Sequence, residues 1–176
     1  MSKIAPLYSQ QEIENRIREI AHDISVNVTS DNLLVIGLLK GAYVFTADLV
    51  RALDLYELSP QVEFLRVSSY GNRKESSGHV DIIGGLPDQL TGKTVLLVDD
   101  ILDTGRTAYK IKSLLLENGV KSVNICVLLD KPSKHVKDIE ADYVGFEIAD
   151  SFVVGYGIDY AEKYRHLPYI GMLNDD

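Results

Sequence analysis

A short segment of the chain, residues 98–107 with the sequence VDDILDTGRT, combines side chains that can bind phosphate, sugar and metal. Its candidate functional residues are Asp99, Asp100, Asp103, Thr104, Gly105 and Thr107. Carboxylates accept hydrogen bonds from ribose hydroxyls, and they bind Mg²⁺ through oxygen. Threonine hydroxyls, a closely approaching glycine backbone and the free amides of a helix N-terminus bind phosphate. The segment therefore predicts a site for a phosphorylated ribose.

A simpler interpretation of the same segment is a turn between a strand and a helix, in which an acid or a threonine caps the helix. Capping explains one such side chain well. It does not explain three acids, two threonines and a glycine within a single short segment. The ligand-binding interpretation is therefore preferred.

The elements that must position this segment follow from the pattern of apolar residues. Helical spacing predicts helices over residues 9–28, about 42–53 and 104–118. Apolar runs predict strands over residues 33–39, 62–67, 94–98, 123–129, 142–148 and 152–156. Because strands alternate with helices, we expect an α/β fold with a mainly parallel central sheet flanked by helices. Ligands bind at the carboxyl ends of such strands, so the strand that ends at Val98 would deliver the acids.

Polar residues without periodicity follow the predicted strand 62–67. The sequence of residues 68–78, SSYGNRKESSG, predicts a long mobile loop. Loops of this length in compact domains are often functional, so we interpret this one as a lid over the site. A plain hairpin end without a functional role is the alternative.

Composition and charge exclude several kinds of protein. The 176-residue chain has a net charge of −8, which argues against non-specific nucleic-acid binding. Its one cysteine, Cys126, lies in the apolar run 123–129, so we expect a buried thiol and no internal disulfide. No apolar stretch is long enough to span a membrane, and the N-terminus has no signal sequence. We expect one cytoplasmic domain, residues 1–176, that binds neither nucleic acid nor membrane.

Four segments, taken in order along the chain, resemble the type I phosphoribosyltransferases. They are LLKG at 38–41, SSYG at 68–71, VDDILDTGRT at 98–107, and LLDKPS at 128–133 leading to DSFVVGYGIDYAEKYRHLPYIG at 150–171. The resemblance covers nearly the whole chain and is strongest to the 6-oxopurine branch, the hypoxanthine and hypoxanthine-guanine phosphoribosyltransferases. It implies the type I phosphoribosyltransferase fold with a small hood, formed by the N-terminal segment and about 150–176, and a mobile lid at about 68–80.

The resemblance implies a reaction of purine salvage. The 5-phosphoribosyl group of phosphoribosyl pyrophosphate would be transferred to N9 of hypoxanthine, and also of guanine, with Mg²⁺ as the cofactor. The products would be IMP or GMP and pyrophosphate. Family members assemble from identical subunits, so the resemblance also implies a homodimer or a homotetramer.

The resemblance also assigns roles to individual residues. Asp103 would be the general base that faces N7 of the purine, and Lys131 would bind the 6-oxo group. Phe152 would stack on the base, with the Val153 backbone at its edge. The residues that bind ribose, phosphate or pyrophosphate would be Lys40, Gly41, Asp99, Asp100, Thr104, Gly105, Arg106, Thr107, Asp159 and Arg165. Metal would be held by Asp99, Asp100 and Asp159, and the lid would contain Ser69 and Tyr70.

The chemistry of the Lys131 side chain also favours a base with an oxo group. A lysine ammonium donates hydrogen bonds but cannot accept them, so it selects an oxo group over an amino group on the base. Taken singly, several residues have simpler interpretations. Lys131 and Arg165 could be solvated charges, Phe152 could belong to the core, and Lys40 with Gly41 could form a plain turn. The family commonly has glutamate at the position of Asp99.

Two other functions are alternatives at this stage. A nucleotide-sensing regulator that binds nucleic acid would have a basic face, and this chain is acidic. A transferase of the same fold could act on a different base, such as uracil, adenine, xanthine or orotate. The segment 128–165 favours a 6-oxopurine by resemblance.

Overall fold

The structure, a computed structural model, describes residues 4–28, 32–69, 80–136 and 138–173. Its elements in chain order are β1 (Ile4–Tyr8), α1 (Gln10–Asn27), β2 (Leu33–Leu39), α2 (Tyr43–Asp54), β3 (Gln61–Ser69), β4 (Val80–Ile83), β5 (Thr94–Leu102), α3 (Arg106–Glu117), β6 (Ser122–Asp130), β7 (Tyr143–Glu147), β8 (Val153–Val154) and β9 (Ile170–Leu173). A 3₁₀ turn, Pro132–Lys134, follows β6.

Within the described residues, six strands form a central sheet in the order β4-β3-β2-β5-β6-β7. Five neighbouring strands of this sheet run parallel to one another, namely β3, β2, β5, β6 and β7. The edge strand β4 is antiparallel to β3. The expected α/β fold with a mainly parallel sheet is confirmed. Because β2 and β5 are parallel neighbours, their carboxyl ends lie side by side, where open sheets of this kind bind ligands.

Alternation along the central strands divides the core into two layers. On one face of the sheet, Val35 of β2 and Leu96 of β5 pack with residues of α1 and α2. On the other face, Ile36 and Leu97 pack with residues of α3. Burial on both faces explains why β2 is a continuous apolar run and not an alternating one.

Helix α1 begins at a capping box. The Glu12 amide donates to Ser9 Oγ at 3.3 Å, and the Ser9 amide donates to the Glu12 carboxylate at 2.8 Å. One turn later, Arg16 donates to the carbonyl oxygens of Val144 and Gly145 at 2.8 and 2.9 Å. These hydrogen bonds attach α1 to β7.

A second, three-stranded sheet joins segments near the two ends of the chain. β1 pairs with β9, and β9 pairs with β8, both in antiparallel fashion. These are segments that the resemblance assigns to the hood. The Tyr8 ring also stacks on Phe146 with a centroid distance of 3.9 Å, which connects β1 to β7. The apolar pattern did not predict β1 or β9, because each has at most five residues and is only partly buried.

The boundary of β5 differs from its prediction. The strand continues past Val98 to Leu102, so Asp99 and Asp100 lie on the strand and not in a turn after it. The strand continues because its backbone pairs with β6 as far as Leu102 and Asp130. Backbone pairing depends on the neighbouring strand, and the polar side chains of this segment conceal it.

Two further boundaries are also corrected. Helix α3 begins at Arg106 and not at residue 104, because Gly105 before it has a φ of 75° in the left-handed region. The predicted strand 152–156 shortens to Val153–Val154. It stops there because Gly155 has a φ of 101° and the chain turns.

Most of the predicted lid lies outside the described residues. Tyr70 and the rest of 70–79 fall in that range. The chain on either side pairs as β3 and β4, with Ser68 opposite Asp81 and Ser69 opposite Val80. The lid therefore stays a prediction.

Cys126 is fully buried in β6, as predicted, and its burial raises the pKa of the thiol. Across the described ranges, no helix combines the length and the apolar character that crossing a membrane requires.

Candidate active site

The carboxyl ends of β2 and β5, two central strands of the sheet, form a cleft. Its cavity has a volume of about 180 Å³ and is lined by Leu38, Leu39, Lys40, Gly41, Val67, Asp99, Asp100 and Thr107. The sheet explains this meeting, because β2 and β5 pair in parallel as far as Gly37 and Val98. A larger groove of about 390 Å³ lies along α1 and α2, but its lining includes none of the predicted site residues. We therefore take the cleft as the candidate site.

Asp99 and Asp100 contribute two carboxylates to this cleft. The Asp100 amide donates to Asp99 Oδ1 at 2.9 Å, which orients the first side chain. Burial, followed by the charge of Asp100, raises the pKa of Asp99 well above its ordinary value. Two carboxylates that repel each other in this way favour a cation or a ligand with several donors beside them.

Gly41 allows the turn after β2 to approach these acids. A β-carbon at Gly41 would overlap the Asp100 carboxylate, and a β-carbon at Gly157 would collide with the Gly41 carbonyl oxygen. The peptide bond between Leu39 and Lys40 is cis. The backbone of residues 40–41 is therefore enclosed between β5 and the segment that follows β8.

The N-terminus of α3 offers backbone amides to an anion. Its N-cap residue is Gly105, which has no side chain to accept hydrogen bonds from the first turn. The Thr104 hydroxyl lies 3.5 Å from the Arg106 amide, at the limit of a hydrogen bond. Side-chain capping thus contributes little at this terminus, and the helix dipole favours a phosphate there.

Backbone hydrogen bonds hold this loop against the segment that follows β6. The Lys131 amide donates to the Leu102 carbonyl at 2.9 Å, and the Val136 amide donates to the Thr104 carbonyl at 3.1 Å. Asp103 lies between these two carbonyl groups in the chain. Lys131 and Asp103 therefore leave neighbouring strands at the same edge of the sheet.

Lys131 is nearly buried, and its environment contains a negative charge. The residue is 9% exposed, and its ammonium nitrogen lies 3.6 Å from Asp150 Oδ1. Lys134 Nζ contacts the other carboxylate oxygen of Asp150 at 3.0 Å. Lysines are seldom buried without a partner, so Asp150 explains how the charge of Lys131 is tolerated. The interpretation of Lys131 as a solvated surface charge is wrong.

Asp103 is exposed at the end of β5. Its charge contributes to the raised pKa of Lys134, after the larger contribution from the hydrogen bond and charge of Asp150. A carboxylate that is open to solvent beside the site can reach a proton on an incoming ligand.

Phe152 is 73% exposed, so its interpretation as a core residue is wrong. Its ring meets the Tyr160 ring edge-on, at a centroid distance of 6.4 Å and an interplanar angle of 80°. Its carbonyl accepts from the Leu173 amide at 3.0 Å, and Val153 beside it is buried in β8. A fixed backbone with an open aromatic face suits stacking on a planar ligand.

Arg165 is held in place by groups of its own segment. One guanidinium nitrogen donates to the Gly157 carbonyl at 2.8 Å, and the other lies 2.8 Å from Asp159 Oδ1. Glu162 contacts Lys40 and Arg165, which were both predicted to bind pyrophosphate. Its Oε2 atom lies 3.0 Å from Lys40 Nζ and 3.5 Å from the Arg165 guanidinium. Arg165 is therefore not a solvated charge on a tail, since its side chain is 20% exposed.

Asp159 does not lie in a cluster with Asp99 and Asp100. Among the residues that the structure describes, no three His, Cys, Asp or Glu side chains are grouped so that they could hold a metal ion. Asp159 instead pairs with Arg165 and accepts from the Glu162 amide at 2.8 Å. The Asp99–Asp100 pair fits a different mode, in which Mg²⁺ takes one or two carboxylates and completes its shell with water and phosphate oxygens.

Two acidic residues of the site were not predicted, Asp150 and Glu162. Each contacts a lysine that the sequence did single out. Asp150 precedes Phe152 by two residues, and Glu162 lies three residues from both Asp159 and Arg165. The short separation of Glu162 from Arg165 in a turn-rich segment is a local signal for Glu162, whereas the lysine partners of Asp150 are distant from it in the sequence.

The sequence of the chain was compared with protein families and with known proteins. The family model of the phosphoribosyl transferase domain matches residues 4–161. The chain is 46% identical over 167 residues to the hypoxanthine-guanine phosphoribosyltransferase of Bacillus subtilis. The matched region covers 95% of this chain and 91% of that one. It is 45% identical over 174 residues to the protein of that name from Aquifex aeolicus, with coverage of 98% and 96%.

A solved structure agrees with the sequence comparison. The crystal structure of a hypoxanthine phosphoribosyltransferase from Staphylococcus aureus superposes with a TM-score of 0.90 at 42% identity, covering 96% of this chain and 90% of that one. The expected type I phosphoribosyltransferase fold is thereby confirmed. By sequence and by fold, the chain belongs to the phosphoribosyl transferase domain family.

Proposed function

We propose that this protein is a hypoxanthine phosphoribosyltransferase. It transfers the 5-phosphoribosyl group from phosphoribosyl pyrophosphate to N9 of hypoxanthine, and also of guanine, and it releases pyrophosphate. The products are IMP and GMP, so the enzyme serves purine salvage. Support comes from relatives at 46% and 45% identity that are named hypoxanthine-guanine phosphoribosyltransferases.

The main structural support for a 6-oxopurine substrate is the hydrogen bond from the Lys131 amide to the Leu102 carbonyl at 2.9 Å. It brings a nearly buried lysine to the residue that precedes Asp103, in the loop that leads to the phosphate site. The ammonium group of Lys131 donates to an oxo group on the base. An adenine amino group would meet one donor with another and would be rejected.

Four residues act on the purine base in this proposal. Lys131 donates to O6, and Asp103 accepts the proton from N7 while N9 forms the new bond. Phe152 stacks on the ring, and the backbone of Val153 contacts its edge. The exposed ring of Phe152 and the exposed carboxylate of Asp103 support these roles.

The rest of the cleft binds phosphoribosyl pyrophosphate. The amides at the start of α3 and the nearby hydroxyls hold the 5-phosphate, and the acid pair accepts from the ribose hydroxyls. The backbone and cations around the cleft hold the pyrophosphate. The 5-phosphate is held by Thr104, Gly105, Arg106 and Thr107. The ribose is held by Asp99 and Asp100, and the pyrophosphate by Lys40, Gly41 and Arg165.

Mg²⁺ fits the Asp99–Asp100 pair, because burial and the charge of Asp100 raise the pKa of Asp99, and a cation beside it would offset both effects. Bound there, the ion would neutralise charge on the departing pyrophosphate. Asp159 would help to hold a second Mg²⁺ on the pyrophosphate side. Water and ligand oxygens would complete both coordination shells.

The chemistry explains why acids line the cleft. Displacement at the anomeric carbon passes through an electron-poor, oxocarbenium-like state, which nearby carboxylates stabilise electrostatically. Water would also react with that state, so the site must be closed during transfer. We assign this closure to the lid at about 68–80, with Ser69 and Tyr70, and the covering of the base to the hood.

We also propose a cytoplasmic homo-oligomer, either a dimer or a tetramer. Val62 and Phe64 of β3 and Ile83 of β4 have 39%, 43% and 50% of their surface exposed. Ile83 pairs with Arg66, so the three apolar side chains share one face at the sheet edge. An exposed apolar face of this kind supports contact with a second subunit.

The test is formation of IMP from hypoxanthine and phosphoribosyl pyrophosphate by the purified protein. We expect IMP and pyrophosphate in equal amounts, and we expect a metal chelator to stop the reaction until Mg²⁺ is restored. Absence of IMP with Mg²⁺ present would refute the proposed function. Undiminished turnover in the chelator would refute the metal.

A further inference from the structure

We propose that Glu162 is an internal competitor of pyrophosphate: its carboxylate pairs with Lys40 and Arg165 and must leave them when phosphoribosyl pyrophosphate binds. This inference rests on the proposed function, which assigns both cations to the pyrophosphate group. It adds a residue that sets the affinity for the phosphorylated substrate and product.

The geometry of Glu162 resembles that of a bound anion. Its Oε1 and Oε2 atoms lie 3.1 and 3.0 Å from Lys40 Nζ, and Oε2 is also 3.5 Å from the Arg165 guanidinium. The contact joins residues that are 122 positions apart in the chain. The hydrogen bond and charge of Lys40 are also the main causes that lower the pKa of Glu162. One carboxylate thus engages both cations that the pyrophosphate needs.

The contact is built so that a ligand can displace it. The side chain of Glu162 is 68% exposed, and that of Lys40 is 53% exposed. Exposed ion pairs are weak because water and salt screen them. Arg165 has a firmer partner in Asp159, at 2.8 Å with side-chain exposures of 20% and 30%. Glu162 can therefore swing into solvent while its amide stays bonded to Asp159.

Charge balance gives the direction of the effect. In the structure, the charges of Lys40 and Arg165 are offset by those of Asp159 and Glu162. A pyrophosphate group must replace the Glu162 carboxylate and is also repelled by it. Removing the Glu162 charge leaves the cations free and removes the repulsion, so binding of anionic ligands should tighten.

The experiment is calorimetric titration of the full-length protein with inorganic pyrophosphate in the presence of Mg²⁺, comparing wild type with Glu162→Gln. We expect the variant to bind pyrophosphate about two- to fivefold more tightly, as displacement of an exposed ion pair allows. The KM for phosphoribosyl pyrophosphate should fall in parallel, while the KM for hypoxanthine stays the same. Equal or weaker pyrophosphate binding by Glu162→Gln would overturn the proposal.

Two further variants make the result specific. Glu117→Gln removes the same charge from an exposed residue at the far end of α3, and it should leave pyrophosphate binding unchanged. In a Lys40→Met background, the gain from Glu162→Gln should shrink by at least half, because the two residues act through one contact. A gain of full size in that background, or an equal gain from Glu117→Gln, would count against the contact.

The titration contains no purine base, so its outcome is separable from that of the transferase assay. A wild-type protein that binds pyrophosphate but makes no IMP would contradict the proposed function, while tighter pyrophosphate binding by Glu162→Gln would still support the role of Glu162.

Discussion

Aspartates within one short segment have different surroundings and therefore suit different chemistry. Asp103 is exposed directly after β5, and in the proposed function its carboxylate faces the incoming base. Asp99 lies in the cleft beside Asp100, and its pKa is raised by burial and by that neighbouring charge. The exposed acid suits proton transfer, and the enclosed pair suits a cation or ribose hydroxyls.

Replacing Asp103 tests the general base. Because the side chain is exposed, Asp103→Asn should leave the melting temperature unchanged, and it should lower kcat by about 10²- to 10⁴-fold, the usual contribution of a positioned base. Steady-state kinetics and thermal melting measure both quantities. Asp54→Asn, at the far end of α2, is the matched control and should keep wild-type kcat. Near-normal turnover by Asp103→Asn would refute the assigned base.

Replacing Asp99 tests the charge repulsion in the cleft. Because its folded-state pKa is raised, ionisation of Asp99 opposes folding, and this cost appears as pH rises through that pKa. Asp99→Asn keeps an acceptor for the Asp100 amide but removes the charge. At neutral pH the ligand-free variant should melt about 2–4 °C higher, for a gain near 1 kcal/mol.

The difference in melting temperature between Asp99→Asn and wild type should shrink at acidic pH, where Asp99 is protonated in the wild-type protein. Activity with Mg²⁺ should nevertheless fall, since a binding carboxylate is lost. A lower melting temperature for the variant at neutral pH would contradict the repulsion.

Replacing Lys131 tests recognition of the 6-oxo group. Lys131→Met removes the charged donor but keeps the length of the chain, and Asp150 retains its contact with Lys134 at 3.0 Å. We expect kcat/KM for hypoxanthine to fall by about 10- to 100-fold, the cost of one charged hydrogen bond. Pyrophosphate binding measured by titration should not change. An unaltered kcat/KM would remove Lys131 from the proposal.

At the scale of elements, the decisive feature is how β2, β5 and α3 end or begin at one edge of the sheet. The strand β2 could be predicted to the residue because it is a continuous apolar run. The end of β5 could not, because Asp99 and Asp100 interrupt the apolar pattern while the backbone continues to pair with β6. The start of α3 depends on the left-handed φ of Gly105, which residue types suggest but do not locate.

Gly41 connects these elements, and its replacement tests their packing. In Gly41→Ala the β-carbon would overlap the Asp100 carboxylate, so the turn after β2 and the acid pair must move apart. We expect the KM for phosphoribosyl pyrophosphate to rise at least about tenfold, because small displacements in a site cost large factors in rate and binding. Enzyme kinetics at saturating hypoxanthine measure this.

The matched control for Gly41→Ala is Gly92→Ala, in the turn before β5. A β-carbon there meets no atom within 4 Å, although its φ of 74° adds some strain. This variant should lose some stability and keep the wild-type KM. If Gly41→Ala behaved in the same way, the close approach to Asp100 would have no role in binding.

At the scale of the whole molecule, long apolar runs specify the sheet and long-range contacts complete the site. The parallel direction of β2, β5 and β6 could be predicted, because buried strands and helices alternate in the sequence, but their order in the sheet could not. The small sheet of β1, β8 and β9 could not, since short strands paired across the length of the chain leave little local pattern. The contact of Glu162 with Lys40 was missed for the same reason, because charges 122 residues apart carry no local signal.

The proposed function requires that this fold presents a phosphoribosyl group to a 6-oxopurine. The most direct measurement is kcat/KM for hypoxanthine and for adenine, each with saturating phosphoribosyl pyrophosphate and Mg²⁺. The lysine donor in the site should favour hypoxanthine by roughly 10³-fold or more, because an amino group in place of the oxo group leaves two donors facing each other. Comparable values for the two bases, or a preference for adenine, would contradict the claim.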